Sequence, residues 1–122
     1  MDKKVLIIDD DPNNIFALSA VLRARGINAT GASGMEEAFR LLRNDAFFGI
    51  VLIDMMMPGL DGYNAIPILR KEECCTEMPI IAVTAQAMAG DREKCLAAGA
   101  DDYLSKPVDI DKLIILLNQF MK

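Results

Sequence analysis

The sequence predicts a doubly wound α/β fold, with one sheet of five parallel strands and helices on both of its faces. Two observations carry this prediction. Short apolar runs alternate five times with segments of helical period. Three of those runs are apolar throughout, which is typical of parallel strands that are covered on both faces. With 122 residues the chain has room for one domain, which we expect to span residues 1–122.

Five short runs are the predicted strands. The first, third and fourth are continuously apolar, whereas the second is the weakest and is expected at an edge of the sheet. The fifth is short and begins with polar residues. In chain order the predicted strands are Val5–Ile8, Ile27–Ala32, Ile50–Ile53, Pro79–Val83 and Asp101–Leu104.

Five helices are predicted from segments of helical period that follow the strands. Asp11 and Asp109 have the side chains expected of N-caps, and Ser33 with Glu36 predicts a capping box. Pro67 lies beyond the first turn of its helix, where a proline predicts a kink or a late start. The predicted helices are Pro12–Arg25, Ser33–Asn44, Tyr63–Glu73, Ala87–Ala98 and Ile110–Met121.

The composition excludes several classes of function. The chain has no histidine, which excludes Ser-His-Asp and Cys-His catalysis, histidine-ligated metals and self-phosphorylation on histidine. The net charge is −5 without a basic cluster, so direct binding to nucleic acid is not expected. No apolar run is long enough to span a membrane, and the N-terminus does not resemble a signal peptide. Three cysteines, two of them adjacent, do not form a disulfide framework, so we expect free thiols in a cytoplasmic protein.

Polar side chains follow four of the predicted strands at their carboxyl ends. Asp9 and Asp10 follow the first strand, Asp54 the third, Thr84 the fourth, and Lys106 comes shortly after the fifth. Working sites in open parallel sheets lie at this edge, so these side chains are expected to converge there. A cluster of carboxylates is the ligand set that Mg²⁺ or Mn²⁺ prefers.

Each of these groups has a role in phosphoryl transfer. A bound metal could bridge a carboxylate and an incoming phosphoryl group, and it would stabilise charge on the phosphoryl oxygens. A lysine could hold another of these oxygens as a point charge, and a threonine hydroxyl could donate a hydrogen bond to a third. A carboxylate nucleophile would yield an aspartyl phosphate.

Four motifs together resemble the receiver domain of response regulators in two-component signalling: VLIIDDDP, VLIDMMMPGLDG, IIAVTA and AGADDYLSKP. The resemblance covers Lys4 to Met121. The stretch TAQAMAGDREKCLAAGADDYLSKP is especially similar to receivers attached to hybrid sensor histidine kinases. The resemblance implies a flavodoxin-like (βα)5 sheet with strand order 2-1-3-4-5.

The resemblance also implies a role for each matching residue. Asp54 corresponds to the phospho-acceptor, and Asp9 and Asp10 to the acidic pair that binds Mg²⁺. Asp54 and the backbone carbonyl of Met56 would complete the protein's ligands to the metal. Met56 has no polar side chain that could orient an attacking water, so the lifetime of the phosphoryl group stays open.

Three further residues match conserved features of the family. Thr84 corresponds to the hydroxyl residue and Lys106 to the invariant lysine. Tyr103 corresponds to the aromatic residue that changes rotamer together with the hydroxyl residue on activation, although a tyrosine that simply packs at the sheet edge is the alternative. The peptide bond between Lys106 and Pro107 is expected to be cis.

The function that follows from the resemblance is a phospho-accepting switch. A sensor histidine kinase or a histidine phosphotransfer protein would donate to Asp54, and the face formed by the fourth helix, fifth strand and fifth helix would then change. Such a domain catalyses only its own phosphorylation and dephosphorylation, as a monomer or a phosphorylation-dependent dimer. The alternative is a phosphorylation-independent interaction module on the same fold. A flavin-binding protein and a Mg²⁺-dependent phosphohydrolase fit the motifs less well.

Overall fold

The computed structural model describes residues 3–44, 47–57, 61–85 and 90–121. Its elements alternate as predicted, and the five strands form one parallel sheet of order β2-β1-β3-β4-β5. The predicted fold class and strand order are therefore confirmed. The elements are β1 Lys4–Ile8, α1 Pro12–Ala24, β2 Ala29–Ala32, α2 Met35–Asn44, β3 Phe48–Asp54, α3 Gly62–Lys71, a short 3₁₀ helix Glu73–Cys75, β4 Ile80–Thr84, α4 Asp91–Ala98, β5 Asp102–Ser105 and α5 Ile110–Phe120.

The core consists of two apolar clusters, one on each face of the sheet. Successive side chains of a strand point to opposite faces, so Leu6 and Ile8 pack with α2, α3 and α4, whereas Val5 and Ile7 pack with α1 and α5. Every residue of β3 is buried, which explains why this run is apolar up to Asp54. The partly exposed β2 lies at the edge, as its weak pattern predicts.

Side-chain caps begin two of the helices where the sequence predicts them. The Asp11 carboxylate accepts from the backbone N–H of Asn13 at 2.9 Å, and Asp109 caps α5 in the same way. The predicted capping box on α2 is wrong by one position. This helix begins at Met35, so Glu37 rather than Glu36 reaches back, and it accepts from the Ser33 N–H at 2.8 Å.

The helices α3 and α4 begin at positions that differ from the prediction. The helix α3 begins at Gly62 and continues through Pro67, so a late start is wrong, whereas a kink at this proline stays a prediction. The helix α4 begins at Asp91, because Gly90 has a left-handed backbone with φ of 93°. The earlier part of that predicted helix, Ala87–Ala89, lies outside the described residues.

The buried Cys75 corrects the expectation that the adjacent cysteines are both exposed. It belongs to the 3₁₀ helix after α3 and is fully buried in the cluster that packs α2, α3 and α4 on the sheet. The sequence around Cys75 is charged, so nothing local in it indicates that this thiol is buried. Cys95 on α4 is also buried.

Arg70 connects the loops at the amino ends of β4 and β5. Its guanidinium donates to the carbonyl of Gly99 at 2.6 Å, to the carbonyl of Met78, and to the Asp101 carboxylate at 2.9 Å. The same carboxylate oxygen accepts from the N–H of Ile80 at 2.9 Å. One arginine on α3 therefore stabilises the starts of two neighbouring strands at the end of the sheet opposite the predicted site.

Candidate functional site

Three carboxylates meet at the carboxyl ends of β1 and β3. These strands are neighbours in parallel register, with Ile8 opposite Ile53, so Asp9 and Asp54 lie at the same edge. Both aspartates are buried, whereas Asp10 is exposed. Carboxylate oxygens of Asp9, Asp10 and Asp54 lie within 4.8 Å of one another. The structure thus brings together the acidic residues that the sequence predicts.

Hydrogen bonds from the following residues orient the two buried carboxylates. One oxygen of Asp9 accepts from the backbone N–H of Asp11 at 2.9 Å, and its other oxygen accepts from the Asn14 side-chain amide at 3.4 Å. One oxygen of Asp54 accepts from the backbone N–H of Met56 at 3.0 Å. Both acids are therefore held by the turns that follow their own strands.

Lys106 extends into this carboxylate cluster from the loop after β5. Its ammonium lies 3.3 Å from an oxygen of Asp54 and 3.8 Å from an oxygen of Asp9. Its backbone N–H donates to the carbonyl of Thr84 at 2.7 Å, which fixes the loop to the end of β4. The peptide bond between Lys106 and Pro107 is cis, as the resemblance implies.

The cluster has an excess of negative charge. Burial is the main cause of a raised pKa at Asp9, and the neighbouring Asp54 carboxylate raises this pKa further. The Asp11 N–H, Lys106 and Asn14 act in the opposite direction. An all-oxygen anionic set with two buried members is the chemistry that a hard divalent cation such as Mg²⁺ prefers, so the residues present fit such an ion.

Thr84 and Tyr103 lie on the strands next to these acids. Thr84 is buried at the end of β4, one position beyond Val83, which is opposite Asp54. Tyr103 is opposite Ala82 in β5, and its half-buried side chain packs against the core cluster of α2, α3 and α4. Thr84 is thus at the same edge as the carboxylates, whereas Tyr103 is positioned along the adjoining strand.

Two features of the site were not predicted from the sequence. Asn14, the third residue of α1, contacts Asp9, but an asparagine near a helix start is by itself an ordinary polar residue. The only available signal was its distance of five positions after Asp9 in a helix that begins directly after β1. The second feature is the exposure of Met56, which is 51% exposed beside Asp54 although its neighbours Met55 and Met57 are buried.

Comparison with known proteins identifies the class that this fold and site define. The family model of the response regulator receiver domain matches residues 5–118, and the chain belongs to this family. Its relatives include receiver domains of hybrid sensor histidine kinases. The sensor protein GacS of Pseudomonas syringae pv. syringae is 36% identical over 108 residues, which cover 86% of this chain and 12% of GacS.

Solved receiver structures are similar over nearly the whole chain. The receiver domain of the sensor histidine kinase PA1611 from Pseudomonas aeruginosa PAO1 is 36% identical, with a TM-score of 0.87 over 99% of this chain and 98% of that one. That structure has a magnesium ion coordinated in its active-site cleft. The receiver domain of Ssk1 from Saccharomyces cerevisiae, solved with the histidine phosphotransfer protein Ypd1, gives 26% identity and a TM-score of 0.85 over 98% of this chain and 89% of that one.

Among the helices of the described residues, none is both long and apolar enough to cross a membrane.

Proposed function

We propose that residues 1–122 form one phospho-accepting receiver domain, in which Asp54 takes a phosphoryl group from a phosphohistidine on a partner protein in a Mg²⁺-dependent reaction. The observation that carries the proposal is the contact of the Lys106 ammonium with buried Asp54 inside a cluster of three carboxylates. The donor histidine would lie outside these 122 residues, because they contain none.

The metal would be held by Asp9, Asp10 and Asp54 together with the backbone carbonyl of Met56. When bound, Mg²⁺ (or Mn²⁺) would neutralise the carboxylates and stabilise charge on the transferring phosphoryl oxygens. Membership of the family, the acidic cluster and the magnesium-bound PA1611 receiver domain support this assignment.

The chain's own residues perform the transfer. A carboxylate oxygen of Asp54 attacks phosphorus, the bond between phosphorus and the imidazole nitrogen breaks, and that nitrogen keeps the electron pair. Lys106 pairs with a phosphoryl oxygen as charge develops there, and the Thr84 hydroxyl donates to another oxygen. The domain acts catalytically only on its own phosphorylation and dephosphorylation, so it is not an enzyme with an external product.

The phosphoryl group would then change a protein-binding surface. Thr84 moves towards the phosphoryl group, Tyr103 follows it, and the α4–β5–α5 face shifts between two populations. The partner would be a sensor histidine kinase or a histidine phosphotransfer protein, which the relationship to GacS and the Ypd1–Ssk1 complex support. We further propose that the domain is a monomer or a phosphorylation-dependent dimer in the cytoplasm. We expect it to make no direct contact with nucleic acid.

Intact mass after incubation with acetyl phosphate and Mg²⁺ tests this function. We expect the mass of one added phosphoryl group, lost with EDTA and in Asp54→Asn. Asp111→Asn removes an exposed carboxylate on α5 and should leave the phosphorylation unchanged. Absence of the added mass together with absence of Mg²⁺ binding would contradict the proposal, and it would favour the phosphorylation-independent interaction module. If Mg²⁺ binds but acetyl phosphate does not react, the experiment is repeated with a phosphorylated histidine phosphotransfer protein as the donor. Absence of phosphorylation with that donor would also contradict the proposal.

A further inference from the structure

An apolar cavity of about 530 Å³ opens between α1 and α5, beside the carboxylate cluster. Its floor is the sheet, and its two walls come from α1 and from the segment that leads into α5. Its volume lies within the range of about 300–1,000 Å³ that is typical of small-molecule sites. The apolar side chains that form it include Leu52 and Val83 in the floor, Leu18 and Val21 in one wall, and Val108 and Ile110 in the other.

The wall residues are not closed off by the fold. Leu18, Val21, Val108 and Ile110 are each only partly buried, whereas Leu52 and Val83 below them are buried. The helices α1 and α5 therefore leave apolar surface in contact with water at this end of the sheet. Covering such surface with an apolar group is favourable by about 25 cal/mol per Å².

The polar side chains of this cavity lie at the end next to the candidate site. Asp9, Asn14, Asp54 and Lys106 line that end. Lys106 already contacts both carboxylates, and Asp10 adds a third carboxylate nearby. Three carboxylates therefore face one ammonium group, and this imbalance favours a cationic ligand over an anionic one.

We propose that the cavity between α1 and α5 binds a small primary amine with an apolar body, its ammonium group against the carboxylates of Asp9 and Asp54 and its body between Leu18, Val21 and Val108. An ammonium is compact and has three donors, so it can pair with two carboxylates whose other partners are already in place. The apolar walls supply affinity that a bare cation cannot obtain.

Binding of such an amine and binding of Mg²⁺ exclude one another, because both use the carboxylates of Asp9 and Asp54. This consequence, unlike binding of the amine itself, rests on the proposed metal site. The amine would thus act as an inhibitor of phosphorylation whose effect decreases as Mg²⁺ increases, because each ligand lowers the apparent affinity for the other.

Calorimetric titration of the full chain with three probes of equal chain length tests the proposal in Mg²⁺-free buffer. We expect n-hexylamine to bind about tenfold or more tightly than 1-hexanol, because its charged donor pairs with buried carboxylates, and hexanoate to bind more weakly still. Equal binding of the amine and the alcohol would overturn the cationic site, and absence of binding by all three would overturn the cavity.

A pair of α1 variants locates the binding. Val21→Phe fills the cavity and should weaken the binding of n-hexylamine about tenfold or more. Ala20→Phe adds the same ring at an exposed position outside the lining and should leave the affinity for n-hexylamine unchanged. Val108→Phe fills the cavity from the opposite wall and serves if Val21→Phe does not fold by circular dichroism. Unchanged affinity in the folded filling variants would overturn the assignment.

Titration with Mg²⁺ separates the two proposals. If both are correct, Mg²⁺ weakens the binding of n-hexylamine, and it does so to the same extent in the wild type and in Ala20→Phe. If Mg²⁺ itself does not bind while the amine does, the proposed function fails and the cavity site stands. If Mg²⁺ binds with no effect on amine affinity, the amine does not use Asp9 and Asp54, which overturns the site.

Discussion

The buried Asp9 receives hydrogen bonds or ion pairs on both carboxylate oxygens. The backbone of Asp11 supplies a bond to one, whereas the Asn14 amide and the Lys106 ammonium contact the other. Asn14 is the neutral side chain of this set, so it orients the acid without neutralising its charge. We infer that its contribution is positional, in the way that residues behind metal ligands orient those ligands.

Asn14→Ala should weaken Mg²⁺ binding about tenfold, because Asp9 loses a donor that restricts its rotamer. The measurement is the Kd for Mg²⁺ by isothermal titration calorimetry. Asn13→Ala changes the preceding, exposed asparagine of the same helix turn and serves as the matched control. Equal Kd values for Asn14→Ala and the wild type would show that Asn14 does not position Asp9.

Single residues also show which parts of the site's geometry can be predicted from the sequence. The proximity of Asp9, Asp54 and Lys106 was predictable because each follows a recognisable strand and parallel strands end at one edge. Asn14 was not, because its importance depends on the angle at which α1 leaves β1. The register of the α2 cap was missed for a similar reason: Glu36 and Glu37 are equally suitable, and only the observed start at Met35 selects Glu37.

At the scale of elements, the start of α3 is packed closely against the end of β3. A Cβ built on Gly62 would lie 2.9 Å from the backbone Cα of Met55 and 2.3 Å from its sulfur. Met55 directly follows Asp54, and the N–H of Gly62 donates to its carbonyl at 3.3 Å. This contact requires glycine for the close approach of two elements, and nothing local in the sequence indicates it.

Gly62→Ala should reduce the free energy of unfolding by about 1–3 kcal/mol, because the added methyl group must displace backbone atoms of Met55, in the turn that follows β3. It should also weaken Mg²⁺ binding, because the displaced turn carries Asp54. Urea denaturation and the Mg²⁺ titration measure the two effects. Gly34→Ala is the control, since a Cβ there has nothing within 4 Å; an equal loss of stability in both variants would contradict the contact argument.

At the scale of the whole molecule, two titratable side chains with raised pKa values lie between α3 and α4, the buried Cys95 and the partly buried Tyr63. Burial raises the pKa of Cys95 above its ordinary value of 9.0, and Asp91 raises it further, whereas a hydrogen bond from Tyr63 lowers it. Burial raises the pKa of Tyr63 above 10.0, and Cys95, Asp91 and Asp61 raise it further. The folded protein therefore keeps these protons more tightly than the unfolded chain does.

Stability should consequently fall in alkali. The contribution of the neutral thiol is intact below pH 9.0, the ordinary pKa, and is lost as the pH rises through the raised pKa of the folded state. We expect the free energy of unfolding to fall less between pH 7.5 and 10 in Cys95→Ala than in the wild type. Comparing each protein with itself at two pH values removes the packing loss, and an unchanged pH dependence in Cys95→Ala would refute the prediction.

The alternation of strands and helices was enough to predict a doubly wound parallel sheet, whereas the strand order followed only from the resemblance to receiver domains. The contacts of Arg70 were not, because they join residues as far apart as Arg70 and Gly99, and nothing local in the sequence indicates them. The cavity between α1 and α5 was missed in the same way, since it depends on how far two helices stand apart and not on their apolar patterns.

Arg70 gives the sheet two unlike ends. The starts of β4 and β5 are tied together through the carbonyls of Gly99 and Met78 and the Asp101 carboxylate, while Thr84 and Lys106 stand at the far end among loops. If a movement begins at Asp54, we expect β4, β5 and α4 to tilt while their ends beside Arg70 stay fixed. The displacement would be largest near the site and smallest beside Arg70.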